Sequence, residues 1–395
     1  MFTEAPFWVL AIVAAAAVRV LPDSAVRMRA AGLAATGWLA LVWVLHLPLV
    51  ALAALTAALA WLLVCVHLAA PGGSRARVAL VAVGPLLVLW MAGKHAWPAP
   101  VSRLSVLAVA GASYLLVKAW TLAKDRGDGR VPEFDIWTGA AYLLYLPAYL
   151  SGPMPYYGEF ARRVRQPEAW DGRVGVDTVF RFLVGLAKVF VVAPLLTPMS
   201  LIGLTGRPGP GAAQLVLGAL VYSVVLYCDF SGYSDLAVAT ARVVGVTVPE
   251  NFSRPYLATD IREFWRRWHI TFSRVLTSYV FVPLTRALQR RTRLSPRVIM
   301  LAGYAVTFGA AGYWHGPTLR FVAWGLYHAA GLIVHDFIRE RRLAVRLAAG
   351  AATTDPPSAA TSAATTTAAT ATAMVLTFLF VSLGWLLFVP GLRLW

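Results

Sequence analysis

Two histidines stand in compact motifs whose residue types suit proton transfer. His315 lies in GYWHGP at 312–317, where glycine and proline predict a broken helix whose backbone can line a cavity. A neutral imidazole is the side chain best suited to accept a proton near neutral pH. His269 ends FWRRWH at 264–269, where spacings of three and four place it on one helical face with two tryptophans. Such an aromatic, basic helix either lies at a membrane interface or lines a polar pocket for an anionic, phosphate-bearing carrier.

The other histidines carry weaker signals. His328 ends WGLYH at 324–328, and it either reaches the same cavity or anchors the return helix. His46, His67 and His95 stand singly in apolar surroundings. We interpret these three as packing or interfacial residues.

Acidic and hydroxyl side chains cluster inside an apolar stretch. They are Asp229, Ser231, Ser234 and Asp235. Two carboxylates at membrane depth persist only when they are paired or line a wet cavity. The candidate partners nearby in sequence are Arg242, Arg262, Arg266 and Arg267. The cluster is therefore either an ion-pair lattice that ties helices together or a set of substrate contacts.

Arginine is concentrated in residues 254–297. This stretch holds ten arginines against Asp260 and Glu263, a net charge of +8 out of +17 for the whole chain. Basic loops of membrane proteins face the cytoplasm. Arginine also pairs well with phosphate. We expect the segment to face the cytoplasm and to serve as a docking face for a phosphate-bearing ligand.

The elements that position these residues are predicted to be membrane helices. Of 395 residues, 59% are hydrophobic and 13% are charged, and that charged share is about half of what soluble domains carry. This excludes a soluble globular enzyme. Residues 30–74 contain no Asp, Glu, Lys or Arg, which leaves room for two spans of ~20 residues each. The two cysteines lie in apolar stretches, so neither a disulfide framework nor a cysteine metal site is expected.

About eleven charge-poor stretches are candidate transmembrane or re-entrant helices. They lie near 5–18, 30–47, 49–70, 78–93, 104–117, 136–158, 189–206, 208–228, 298–319, 321–338 and 374–392. Basic clusters at 286–297 and 339–346 are expected on one side of the membrane. The segment between them must then cross twice, with a turn near Gly316-Pro317.

We interpret the chain as one membrane domain over 1–395. Residues 1–130 form N-terminal helices, 131–345 a motif-bearing core, 346–373 a low-complexity linker and 374–395 the last helix. The linker consists mostly of alanine, threonine and serine around two prolines, so it has little with which to pack.

Taken together, the motifs resemble those of the membrane-bound O-acyltransferase family. FSGYSDLAVATARVVGV, PENFSRPYLATDIREFWRRWHITFS with YVFVPL, and YWHG followed by WGLYH occur in that family's order and spacing. LPAYLSGPMPYYGEF at 146–160 and FLFVSLGWLLF at 378–388 extend the resemblance to about residues 105–390. The likeness is to the bacterial branch that contains alginate O-acetyltransferases and the D-alanyltransferases of teichoic acids.

The resemblance implies a fold and two catalytic positions. The fold would be an all-α integral membrane protein with about 11 transmembrane or re-entrant helices around a central substrate tunnel. His315 corresponds to the family's invariant histidine and His269 to its second position. Thr277-Ser278 and Thr271-Phe272-Ser273 depart from the branch's usual residues beside His269. The other candidate substrate- or donor-binding residues are Trp268, Arg266, Arg267, Trp314, Asp229, Ser231 and Asp235.

The resemblance also implies a reaction. An acyl group, acetyl or D-alanyl in type, would pass from a cytoplasmic thioester on coenzyme A or a carrier-protein phosphopantetheine arm to a hydroxyl of a cell-envelope or secreted polymer. His315 would act as general base, and His269 or a backbone amide near Gly316 would stabilise the oxyanion. We expect no tightly bound cofactor, no metal and no nucleic acid partner. The expected partners are the donor, an extracytoplasmic acceptor or esterase-like protein and membrane lipids, in a bacterial cytoplasmic membrane.

Two other functions fit a basic, polytopic chain. A transporter or flippase of a lipid-linked intermediate would use the acidic and basic residues as a headgroup pathway and would form no bonds. A glycosyltransferase that uses a polyprenyl phosphate would be expected to show an acidic motif in an early loop. Residues 19–103 contain only Asp23 as an acid, which disfavours the glycosyltransferase.

Overall fold

A computed structural model describes residues 4–46, 49–68, 106–149, 151–205, 209–316, 318–350, 359–389 and 392 of the protein. Every regular element in these ranges is a helix, which confirms the all-α class. The helices are α1 Ala5–Arg19, α2 Val26–Trp43, α3 Leu49–Leu68, α4 Val106–Gly127, α5 Ile136–Leu144, α6 Tyr157–Arg165, α7 Gly172–Ala187, α8 Ala193–Leu196, α9 Leu201–Leu204, α10 Ala212–Val244, α11 Ile261–Arg267, α12 Ile270–Leu276, α13 Val282–Arg291, α14 Pro296–His315, α15 Leu319–Gly350 and α16 Ala359–Phe388. Single 3₁₀ turns lie at Leu146–Ala148, Thr197–Met199 and Pro255–Leu257, and π-helical turns at Lys188–Val192 and Thr277–Phe281.

Among the described residues, four helical segments are long and apolar enough to cross a membrane. They are Gly172–Leu204, Ala212–Val244, Leu319–Val345 and Ala368–Phe388. Ala5–Arg19 and Leu55–Leu68 are shorter apolar helices. The predicted total of about eleven membrane helices remains a prediction. The candidate span at 78–93 and His95 lie outside the described residues.

Several predicted span boundaries are wrong. The stretch 136–158 is not one span, because prolines and a glycine between α5 and α6 interrupt the helix after Leu144. The apolar helix predicted from 189 begins at Gly172 instead, since a few charged residues along α7 masked its apolar face. The helix predicted over 208–228 continues to Val244. The acidic and hydroxyl residues after Cys228 end the apolar stretch, but they do not end the helix.

Helices extend into the predicted linker from both sides. α15 continues to Gly350 and α16 begins at Ala359. Alanine has the highest helix propensity of all residues, so an alanine-rich segment adopts a helix even without large side chains to pack. Residues 351–358 lie outside the described part of the chain. The division of 1–395 into segments of one domain remains a prediction.

The chain divides into two compact units, which are residues 1–187 with 230–250, and residues 188–229 with 251–395. In the first unit, the Arg19 guanidinium caps the end of α10 by donating to the carbonyls of Val243 at 2.8 Å and Arg242 at 2.6 Å. A cation at a helix C-terminus satisfies carbonyls that have no partner within the helix. This cap fixes the point at which α10 ends.

In the second unit, α14 and α15 form a helical hairpin that turns after His315, as predicted. Glycines let the two backbones approach closely. A Cβ added at Gly325 would lie 2.0 Å from the Phe308 carbonyl oxygen, and one at Gly312 would lie 2.1 Å from that of Phe321. The position of His315 at the end of α14 therefore depends on contact between two helix backbones.

We expect Gly325→Ala to destabilise the protein by about 1–3 kcal/mol, because the added methyl group would force α15 away from α14. Gly309→Ala is the matched control, since its Cβ meets no heavy atom within 4 Å. The control should unfold at the same temperature as the wild type or slightly above it. Thermal unfolding in detergent micelles measures both, and equal melting temperatures for the two variants would contradict the backbone contact.

Candidate active site

His315 lies at the last position of α14, where the chain leaves the helix. The backbone N–H of Gly316 donates to the Gly312 carbonyl at 3.3 Å and closes the helix end. The imidazole is half-buried. Its ring centroid lies 5.2 Å from that of Trp324 and 5.0 Å from that of Phe388. His315 is therefore surrounded by aromatic rings and remains partly exposed.

The run FWRRWH is not one helix. α11 ends at Arg267, and His269 has a left-handed backbone with φ of 44° before α12 begins. The prediction that His269 shares a helical face with two tryptophans is therefore wrong. A left-handed backbone is uncommon for residues other than glycine and is kept only where the surroundings determine it. Here two backbone hydrogen bonds bracket the break, from Ser253 to Arg267 at 3.0 Å and from Ile270 to Asn251 at 2.9 Å.

Asn251 holds the side chain of His269. Its Oδ1 lies 3.1 Å from Nδ1 of His269 and accepts from the Thr271 hydroxyl at 2.9 Å. Asn251 has 1% of its surface exposed and His269 has 3%, so this contact is shielded from water. Sequence reasoning missed Asn251. Its one distinguishing sign was that it is the only asparagine in the chain.

His315 lies in the surroundings of the buried His269. Burial lowers the pKa of His269 well below its ordinary value, and the nearby His315 lowers it further. An aromatic path also connects them. The His269 ring stacks on Phe272 at 5.0 Å, and Phe272 lies 4.5 Å from Trp314, the residue before His315. The structure thus brings the two predicted histidines into one cluster within the second unit.

A second layer of aromatic rings surrounds His328. This histidine is fully buried, with ring centroids 4.9 Å from Trp324 and 5.1 Å from Trp265. Buried ring nitrogens without a hydrogen-bond partner among the described residues belong to Trp265, Trp324, Trp385 and His328. Buried N–H groups are rarely left unpaired. The cluster next to His315 therefore contains donors available to a polar ligand.

Two predicted tryptophans pack in this region. Trp268 is buried and contacts several aromatic rings, including that of Phe252 at 5.0 Å. Trp314 is half-buried and lies 4.8 Å from the His315 ring. Trp314 thus lies beside His315, whereas Trp268 packs among other aromatic rings, and the binding roles of both remain predictions.

The start of α11 is capped by its own side chains. Asp260 accepts from the backbone N–H of Glu263 at 2.7 Å, and Glu263 accepts from the backbone N–H of Thr259 at 2.7 Å. The hydrogen bond from Thr259 lowers the pKa of Glu263. Glu263 also pairs with Arg267 one turn later. Arg267 therefore stabilises α11, while Arg266 is exposed and makes no ion pair among the described residues.

Arg262 ties α11 to the helical hairpin. Its guanidinium pairs with Asp336 on α15 and donates to the Tyr304 hydroxyl on α14 at 2.6 Å. Tyr304 in turn donates to Asp336 at 2.8 Å. Removing one member leaves a buried acid or cation without its partner. This network holds the helix that leads to His269 against the helices that carry His315 and His328.

We expect Asp336→Asn to lower the free energy of unfolding by about 1–3 kcal/mol, because a hydrogen bond to a charged group is lost while Arg262 keeps its charge. Thermal unfolding in detergent measures this. Arg297→Gln is the control, since it breaks the pair between Arg297 and Glu340, whose side chains are both at least half exposed. An exposed pair contributes little. A larger loss in the control than in Asp336→Asn would contradict the role of the Arg262 network.

The acidic cluster divides between the two units. Asp235 and Ser231 belong to the first unit, and Asp235 pairs with Arg181 on α7 at 3.0 Å. The partner of Asp235 is therefore not one of the arginines that lie near it in sequence. Arg181 was not predicted, because it lies far from Asp235 in the chain. Asp229 belongs to the second unit and is exposed on α10. Asp235 thus acts as an ion-pair residue, and the binding roles of Asp229 and Ser231 remain predictions.

These features define a class of protein, which is a multi-pass helical membrane protein with two histidines in one aromatic cluster. The family model of MBOAT, the membrane-bound O-acyltransferase family, matches residues 132–362 of the chain. The chain belongs to this family and is an acyltransferase.

Named relatives agree with this assignment. The chain is 28% identical over 286 residues to a teichoic acid D-alanyltransferase of Streptococcus thermophilus, covering 70% of this chain and 69% of that protein. It is 31% identical over 287 residues to a probable alginate O-acetylase of Pseudomonas syringae, covering 72% and 49%. It is 32% identical over 198 residues to a peptidoglycan O-acetyltransferase of Helicobacter pylori, covering 50% and 36%. The chain thus spans about half or less of the last two proteins.

Proposed function

We propose that the protein transfers an acetyl or D-alanyl group from a cytoplasmic thioester to a hydroxyl of a cell-envelope or secreted polymer. The observation that carries this is the half-buried His315 at the broken end of α14, in the same aromatic cluster as the buried His269. The names of the relatives supply the two acyl groups and the polymeric acceptors. Their bacterial sources support a bacterial cytoplasmic membrane as the location.

In the proposed reaction, His315 accepts the proton of the acceptor hydroxyl while the hydroxyl oxygen bonds to the thioester carbonyl carbon. The tetrahedral oxyanion collapses, the carbon–sulfur bond breaks, and the thiolate takes up the proton from His315. Neither step needs an oxidant, a reductant or a metal. Holding both substrates at His315 supplies the remaining acceleration.

The oxyanion needs a hydrogen-bond donor, and the Gly316 amide suggested by the sequence already donates to Gly312. The indole N–H of Trp324 is a better candidate, because it is buried and has no partner among the described residues. Its ring also lies 5.2 Å from that of His315. We therefore assign oxyanion stabilisation to Trp324.

We expect Trp324→Phe to lower kcat about 10²-fold, which is the typical effect of removing one oxyanion donor. Phenylalanine keeps the aromatic packing and removes the N–H. Trp385→Phe is the control, since it removes another buried indole N–H whose ring stacks on Trp324 at 5.9 Å. Steady-state kinetics would reject the assignment if both variants lost the same activity.

The donor is proposed to dock on the basic surface at the end of α13. Arg286, Arg290, Arg291 and Arg293 are exposed there. The pair between Arg297 and Glu340, at 2.9 Å, places the exposed arginines of α15 beside this cluster. Phosphates of coenzyme A or of a phosphopantetheine arm suit such a surface.

We expect reversal of three charges, Arg290→Glu, Arg291→Glu and Arg293→Glu, to raise the donor KM roughly 10-fold to 100-fold, since an exposed ion pair contributes up to about 1 kcal/mol. The value of kcat should stay close to wild type. Donor titrations at low and high salt measure both, because screening should reduce the difference.

The matched control reverses the same number of charges at another basic cluster, with Arg162→Glu, Arg165→Glu and Arg173→Glu. It separates a local effect on docking from a general effect of net charge or of membrane insertion. An unchanged donor KM in the first variant, or an equal rise in both, would show that these arginines do not bind the donor. Their role would then be limited to orienting the chain in the membrane.

A direct transfer assay tests the proposed function. The purified protein in detergent receives radiolabelled acetyl- or D-alanyl-thioester and a hydroxyl-bearing polymer, and mass spectrometry identifies the product. We expect the polymer to gain one acyl group per modified hydroxyl. Detergent has no two compartments, so a transporter or flippase would yield no product under these conditions.

A further inference from the structure

The side-chain orientation of Asn251 follows from a backbone donor. The N–H of Thr271 lies 3.3 Å from Oδ1 of Asn251, and the Thr271 hydroxyl lies 2.9 Å from the same oxygen. A backbone N–H can only donate, so the atom that faces it must be the amide oxygen and not the amide nitrogen. The oxygen that lies 3.1 Å from Nδ1 of His269 is thereby identified independently of His269.

This oxygen determines where His269 carries its hydrogen. An amide oxygen only accepts, so Nδ1 must be the protonated nitrogen of the neutral ring. Burial lowers the pKa of His269, with His315 as the titratable group that lowers it further, so the neutral ring is the form present near neutral pH. Its Nε2 then has a lone pair and no hydrogen.

We propose that Asn251 is a positioning residue that fixes His269 as the Nδ1–H tautomer, so that His269 presents an unprotonated, hydrogen-bond-accepting Nε2 within the aromatic cluster that also contains His315. This arrangement follows the general logic in which a catalytic base is oriented by another group. The consequence for catalysis rests on the proposed acyl transfer.

The burial of the two rings gives them different roles. His269 has 3% of its surface exposed, whereas His315 is half-buried. The substrate is therefore expected to meet His315, while His269 is shielded from it. In this tautomer neutral His269 has no hydrogen on Nε2. His269 therefore cannot donate to the oxyanion from Nε2, although that role was expected from the sequence. This is consistent with assigning that role to Trp324.

Nitrogen-15 spectra of histidine-labelled protein test the tautomer without any substrate. We expect the His269 signals of the wild type to show a protonated Nδ1 and an unprotonated Nε2 at neutral pH, and His269→Gly assigns them by their loss. Asn251→Leu should remove this preference. The reverse tautomer in the wild type would overturn the proposal. Because no transfer is measured, this result stands apart from failure of the proposed function.

Kinetics test the consequence for catalysis. We expect Asn251→Leu to lower kcat about 10²-fold, since a misplaced tautomer in a comparable relay costs up to about 10⁴-fold. Asn251→Asp keeps the accepting oxygen and should restore kcat to within tenfold of wild type at alkaline pH. Its carboxylate favours the imidazolium form, so the acid limb of the pH profile should move to higher pH.

Thr271→Val is the control, because it removes a different hydrogen bond to the same oxygen. It should leave the tautomer signals and the pH profile of kcat as in the wild type. A purely structural role of Asn251 predicts another pattern, in which Thr271→Val and Asn251→Leu lose activity alike and Asn251→Asp shows no shift in pH profile. That pattern would overturn the proposal.

Discussion

We expect His315→Gln to stay folded and to transfer acyl groups about 10²-fold to 10⁴-fold more slowly than the wild type, which is the usual contribution of a general base. Glutamine has nearly the size of histidine and can form hydrogen bonds, but it cannot take up the hydroxyl proton. The half-buried position of His315 at the helix end leaves room for this exchange. The initial rate of label transfer from the thioester to the polymer measures the loss.

His335→Gln is the control for His315→Gln. It makes the same substitution at His335, another partly buried histidine of the α14–α15 hairpin, which lies seven residues after His328 on α15. The control should transfer at the wild-type rate and unfold at the same temperature as His315→Gln. Full transfer by folded His315→Gln would show that another group takes the proton, and His269 would be the next candidate.

The turn that exposes His315 could be predicted because its causes are local. Glycine and proline follow the histidine directly, and they end a helix whatever the rest of the chain does. Apolar composition likewise predicted membrane helices, since the need to pair backbone groups in lipid leaves helices as the simplest solution. In both cases the residues that cause the feature lie within or next to it in the sequence.

The break at His269 could not be predicted in the same way. Every residue of FWRRWH is compatible with a helix, and periodicity alone continues the helix through the histidine. The structure ends it because backbone groups on both sides bond to the segment around Asn251, which lies 18 residues earlier. Long-range hydrogen bonds of this kind outweigh local propensity. The pair of Arg181 with Asp235, 54 residues apart, escaped prediction for the same reason.

Close backbone approach also connects the fold to the site. The glycines that let α14 meet α15 carry no chemistry, and the sequence alone assigns them no role beyond flexibility. In the structure they set the position of the helix end that carries His315. Substitutions there should lower stability and activity together, whereas substitutions of His315 should lower activity alone. The comparison separates residues that build the site from residues that react in it.

The second large effect is expected from His269→Gly, which should lower kcat about 10²-fold or more, because the second histidine proposed to act in the reaction is lost. Glycine adopts a positive φ without strain, so the backbone at φ 44° is retained and the loss reflects the missing ring. Arg254→Gly is the control, since Arg254 is the other left-handed residue of this segment, with φ of 46°, and is exposed. It should keep the wild-type kcat. Added imidazole should restore part of the turnover of His269→Gly and should not change that of Arg254→Gly. If His269→Gly keeps the wild-type turnover, His269 is a packing residue.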